Sequence, residues 1–146
     1  MENVRVYEIP KCRMVSSECG MFGDAAIEEF SSWMETLPRT MFPRDFLWFD
    51  ESRGGFVWYY MHHDGLAVPD GFDIVDFPGG LYAVASGIDG EDNAEAMNAI
   101  DRFIQVSGCF APDPARRQLG NVITPPEAQK AMGYSQMDYY TPIKVI

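Results

Sequence analysis

Apolar and polar residues alternate along Val4-Arg5-Val6-Tyr7-Glu8, and Pro10 parts this run from a second extended one, Met14-Val15-Ser16-Ser17. Period-two alternation is what a half-buried strand requires. Gly20 and Gly23 end the extended stretch, and Asp24 then offers a side-chain oxygen as an N-cap. Ile27, Phe30, Met34 and Leu37 follow at helical spacing, with Trp33 flanking the stripe, until Pro38 stops the helix. After a loop containing Pro43, residues 56–63 and 72–77 are the next strand candidates.

The second half repeats this order. Residues 80–86 read as a strand, Gly87 and Gly90 break it, and Asp92 or Asn93 caps a helix whose apolar stripe is Met97, Ile100, Phe103 and Ile104. Ser107-Gly108 ends that helix. A loop with Pro112 and Pro114 leads to a strand at 119–123, Pro125 and Pro126 interrupt, and residues 137–143 form the last strand. Strand, glycine break, capped helix, strand, strand thus occurs twice at an offset of about 69 residues, Asp24 against Asn93. The pattern predicts an α+β fold of tandem strand-helix-strand-strand modules. They form one antiparallel sheet with two helices on one face and a ligand cleft between them. A single domain over 1–146 is expected, with pseudo-repeat halves of about 1–78 and 79–146.

Charge narrows the classes of partner. Eleven Lys and Arg stand against 22 Asp and Glu, a formal net charge of −11. Phosphate backbones and anionic bilayers repel such a surface, so neither nucleic acid nor a membrane is expected as a partner. No apolar run reaches membrane-span length and the first residues hold no signal-like run, so a cytoplasmic location is expected. Cys12, Cys19 and Cys109 are odd in number and lack a Cys-x-x-Cys pair, which predicts free thiols. His62 and His63 are adjacent and would point to opposite faces of a strand, so no metal is expected. No cofactor is expected either.

The last strand holds the most informative residue. Asp138 shares a face with Tyr140 and Pro142 in an otherwise apolar and aromatic run. A carboxylate buried without a partner is costly. Two readings stand: an edge strand with Asp138 in water, or an acid on the floor of a pocket that receives a cationic guest. Twenty aromatic residues (three Trp, seven Tyr, ten Phe) supply walls for such a pocket. Trp58 and Tyr60 share one strand face and offer wide rings with polar tips. Trp48 is a rim or lid candidate, Trp33 would overhang the cleft from its helix, and Phe30 and Tyr82 serve core or pocket.

Four segments then carry a family likeness. They are Cys19-Gly20-Met21-Phe22 ahead of a helix holding Trp33, and Trp48-Phe49-Asp50 followed by Phe56-Val57-Trp58-Tyr59-Tyr60. Phe77-Pro78-Gly79-Gly80-Leu81-Tyr82-Ala83-Val84 and Asp138-Tyr139-Tyr140-Thr141-Pro142-Ile143 complete the set. Together and in this order they resemble the GyrI-like small-molecule-binding domain, the effector-binding half of bacterial multidrug-responsive transcription activators. The resemblance spans nearly the whole chain and implies a ligand cleft whose terminal-strand acid, commonly Glu in the family, is here the shorter Asp138. The activators' helix-turn-helix domain has no counterpart in these residues, so a stand-alone form is expected.

The expectation is therefore a non-enzymatic binder of hydrophobic, cationic small molecules. Its site residues are Asp138, Tyr140, Trp58, Tyr60, Trp33, Phe30, Trp48 and Tyr82, and no residue is assigned to catalysis. One alternative is a hydrolase of strained electrophilic compounds, as some relatives are, with Asp138 and Tyr140 or Tyr60 orienting water. Another is the ligand-sensing half of a transcription regulator, if the chain belongs to a longer protein. A haem-carrying relative with a histidine ligand is a third. An exposed edge strand would let two copies pair as a homodimer.

Overall fold

The computed structural model describes residues 3–146; Met1 and Glu2, part of the start read above for a signal, lie outside them. The chain divides into two compact units, one formed by residues 11–78 and the other by the first ten residues with 79–146.

In the first unit, β2 (Cys12–Ser16), α1 (Ala25–Glu35), β3 (Asp45–Asp50), β4 (Gly55–Met61) and β5 (Asp73–Phe77) follow in order. The strands pair antiparallel in the order β3-β4-β2-β5. Helix α1 forms where the stripe requires it. Ile27 and Phe30 are fully buried, and Met34 and Leu37 extend the same packing. Asp24 is its N-cap residue, but its carboxylate turns back to accept the Met21 N–H at 2.7 Å instead of bonding the helix.

The other unit holds β1 (Arg5–Ile9), β6 (Gly80–Ile88), α2 (Ala94–Ser107), β7 (Phe110–Pro112), β8 (Leu119–Val122), α3 (Pro126–Met132) and β9 (Gln136–Val145). Its antiparallel order is β1-β6-β9-β8, with β7 also on β9. Ala96, Ile100 and Ile104 of α2 bury against Ala83, Ala85 and Ile143. Asn93 stands at the N-cap of α2, and Gly108 closes its C-terminus at φ 68°, a left-handed conformation that glycine adopts without steric cost.

The α+β class and the tandem modules are as the pattern predicted, with α1 and α2 starting at equivalent places, Ala25 and Ala94. Three details differ. Residues 45–50, read as loop, are strand β3, which forms a hairpin with the adjacent β4, Asp50 opposite Gly55. Pro126, read as a break, starts the seven-residue helix α3, since its missing N–H is one a first helical turn leaves unbonded anyway. The lead-in strands are also exchanged: β1 pairs with β6 and β5 pairs with β2, although β1 precedes β2 and β5 precedes β6 in the chain.

Among the described residues, no helix is long and apolar enough to cross a membrane.

Candidate functional site

Register fixes which side chains share a face. In the β1-β6-β9-β8 sheet, Arg5 lies opposite Val84, Tyr7 opposite Tyr82, Ser86 opposite Asp138, and Val84 opposite Tyr140. On the other flank of β9, Leu119 and Asn121 lie opposite Tyr140 and Asp138. All of these share one face, and it is the reverse of the face that α2 covers through Ala83, Ala85 and Ile143.

Asp138 is buried, 3% exposed, on a strand paired on both sides. This settles the first choice left open by the sequence: Asp138 is neither on an edge nor in water. Its Oδ1 accepts the Ser86 hydroxyl at 2.6 Å and the Arg5 Nη2–H at 2.8 Å. Oδ2 takes no hydrogen bond among the described residues. The Arg5 side chain is 38% exposed, donates to the Tyr7 hydroxyl at 2.9 Å, and lies 5.2 Å from that ring's centre. Burial would lower the Arg5 pKa, but the hydrogen bond and charge of Asp138 outweigh it and raise it overall.

Three tyrosines share this sheet face with the ion pair. Tyr140 meets Tyr82 edge-on at 6.1 Å and Tyr7 at 6.5 Å. Burial pushes the Tyr140 phenol up to about 12, against the Asn121 hydrogen bond that lowers it and with the Asp138 charge that raises it. Its hydroxyl therefore stays protonated at neutral pH. Arg116 lies over the Tyr82 ring at 4.8 Å and donates to the carbonyls of Leu81 and Ile143.

The remaining expected residues lie in the unit of residues 11–78, on two different faces. Trp58 and Tyr60 look toward α1, where Phe30, Trp33 and Phe72 join them. Phe30 is 4.9 Å from Phe72, 5.3 Å from Trp33 and 6.4 Å from Trp58, and Trp33 is 5.6 Å from Tyr60. These rings pack on one another as that unit's core. Trp33 and Trp58 are half-buried, with Nε1–H groups donating to the Ala67 carbonyl and the Asp45 carboxylate. Trp48 pairs with Val57 and so points from the reverse face, buried and 5.8 Å from Tyr59. A hollow of about 320 Å³ in the same unit is lined by Thr40, Met41, Phe42, Pro43, Arg44 and Met61, none of them an expected site residue.

Sequence reasoning missed Arg5, Ser86, Tyr7 and Asn121. Arg5 and Tyr7 alternate correctly on their strand, but the partner strand that places them beside Asp138 is remote in the chain. Cys12, Cys19 and Cys109 are free thiols, and burial pushes the Cys12 thiol up.

No family model matches the chain, and no curated protein matches it. Solved structures do. The C-terminal domain of EcmrR superposes with a TM-score of 0.62 at 10% identity, over 99% of this chain and 98% of that one. The chain has the fold of that domain. EcmrR in its DNA complex gives 0.68 at 11% identity, and there the chain spans 58% of the longer protein. A hydrolase from Listeria innocua gives 0.66 at 9% identity over 97% of this chain and 91% of that one. SAV2435, bound to tetraphenylphosphonium, gives 0.56 at 14% identity over 99% and 94%. The resemblance to GyrI-like domains holds at the level of the fold.

Proposed function

We propose that this chain binds hydrophobic organic cations on the helix-free face of the β1-β6-β9-β8 sheet, with the Asp138 carboxylate as its charge-selecting group. The observation behind this reading is the burial of a carboxylate on the sheet face that also carries Tyr7, Tyr82 and Tyr140, with one oxygen left without a hydrogen bond among the described residues. A neutral guest leaves the carboxylate's attraction for a cation unused, whereas a cation meets both the charge and the ring faces. Cation–π attraction contributes about 0.5–2 kcal/mol per well-placed ring. Burial of a planar guest adds about 25 cal/mol per Å² of apolar area. The tetraphenylphosphonium held by SAV2435, on the same fold, is a guest of this class.

In this reading Tyr140 and Tyr82 are contact residues, and Trp48 packs within its own unit against Tyr59. Phe30, Trp33, Trp58 and Tyr60 act chiefly by holding the α1 unit together. The part is that of a sensing or sequestering domain, alone or within a longer regulator.

Titration calorimetry with tetraphenylphosphonium tests it. Asp138→Asn is expected to weaken binding about tenfold, a loss of about 1.4 kcal/mol. It should leave the neutral triphenylphosphine oxide nearly unaffected. Equal loss for both compounds would sink the charge-selection claim. A hydrolytic reading, favoured by the Listeria innocua neighbour, has Asp138 Oδ2 holding a water. Mass spectrometry of electrophilic guests would then show water addition that Asp138→Asn abolishes.

A further inference from the structure

Asp138 already has a cation. The Arg5 guanidinium sits 2.8 Å from its Oδ1, shares that oxygen with Ser86, and faces the Tyr7 ring at 5.2 Å. Carboxylate, hydroxyl and ring are the groups an organic cation would use, and a side chain of the same molecule occupies them. Resting on the reading above, we infer that Arg5 is a resident stand-in for the ligand, and that organic cations bind by exchanging with it.

Burial makes a cation at this site compulsory. A carboxylate 3% exposed and stripped of its counter-ion is strongly disfavoured, so Arg5 leaves only as another positive group arrives. The way out is open, because the Arg5 side chain is 38% exposed and its strand β1 is the edge of the sheet. A displaced guanidinium passes into water, where it is well solvated.

Exchange also sets which cations succeed. A tethered group competes at an effective concentration on the order of millimolar. A small cation offers Asp138 nothing that Arg5 does not, and at lower concentrations it loses. Only a guest that buries apolar rings in addition to placing its charge surpasses the resident side chain. Arg5 is thus a specificity-determining residue. It excludes simple ammonium and guanidinium ions and admits large lipophilic ones.

The test is calorimetric titration of the full chain with tetraphenylphosphonium. Arg5→Ala and Arg5→Gln are each expected to bind it about tenfold more tightly than the unmodified chain, the competitor having been removed. In both variants, guanidinium chloride at about 0.3 mM, below the tethered group's effective concentration, should weaken the probe severalfold. In the unmodified chain the same addition should change little, because Arg5 already outcompetes it. Arg5→Gln keeps a side-chain donor for Oδ1 and serves if the alanine variant does not fold. In the unmodified chain, the Arg5 guanidinium resonance should move to that of a solvated arginine as the probe saturates. Unchanged or weaker binding in the Arg5 variants, or a resonance that stays in place, overturns the exchange. If Asp138→Asn still weakens binding in that case, the site reading survives alone. If Asp138→Asn also has no effect, both fail.

Discussion

Asp50 and Arg53 close the β3–β4 turn on each other, with the Arg53 Nε 2.6 Å from Asp50 Oδ2. The other carboxylate oxygen accepts the Ser52 hydroxyl at 2.6 Å and the Ser52 N–H at 3.0 Å. These bonds, Ser52 first and Arg53 second, hold the Asp50 carboxyl down at about 2, below the ordinary 3.8. A lowered folded-state value contributes stability that is fully present above the ordinary value and lost as pH falls through the folded one. Urea melts should therefore show stability falling between about pH 4 and about pH 2. Asp50→Asn should lower the Tm by a few degrees and flatten that part of the acid limb. An unchanged limb would show that the turn contributes nothing to it.

Tyr140 gives the opposite limb. Its phenol is raised from 10.0 to about 12, chiefly by burial, so the fold favours the neutral form. Stability is then lost as pH rises from the ordinary value through the folded one. A phenolate absorbance titration of the folded protein should retain a late step near about 12 that is missing in Tyr140→Phe. Completion of the whole titration near the ordinary value would mean that Tyr140 is in contact with solvent.

Gly80 illustrates how closely the β6–β9 end is packed. Its φ is +133°, and a Cβ there would stand 2.6 Å from Nη1 of Arg116. Gly80→Ala should destabilise the protein by about 1–3 kcal/mol from the backbone conformation alone. Displacement of Arg116 from the Leu81 and Ile143 carbonyls would add to this loss. Chemical denaturation measures it, and a neutral outcome would contradict the described register.

Phe30 separates packing from recognition. It is fully buried between α1 and its sheet, so Phe30→Ala should remove about 3–5 kcal/mol of stability. Where the variant remains folded, its affinity for tetraphenylphosphonium should change far less than that of Asp138→Asn. A loss of affinity matching that of Asp138→Asn, in a folded variant, would return Phe30 to the binding surface.

Local signals were legible and remote pairings were not. The helical stripes at Ile27/Phe30 and Ile100/Ile104 could be read because helical neighbours lie within four residues of each other. The strangeness of Asp138 in an aromatic strand was also visible, and the residue is buried. Strand β3 pairs with the adjacent β4, Asp50 opposite Gly55, and its burial alternates, so distance does not account for that miss. One pairing was hidden by distance along the chain. Arg5 is brought to Asp138 by β1 pairing with β6 and β6 with β9, a path that no local period reports. The face assignment of Trp58 and Tyr60 was undecidable for a related reason. Both faces of β4 bear aromatic side chains, and only the packing of α1 tells them apart.

The most direct measurement is a crystal structure of the chain grown with tetraphenylphosphonium. The account predicts the phosphonium seated against Asp138 among Tyr7, Tyr82 and Tyr140, with the Arg5 guanidinium swung out to solvent. A ligand bound elsewhere, with the Arg5–Asp138 bond intact, would contradict it.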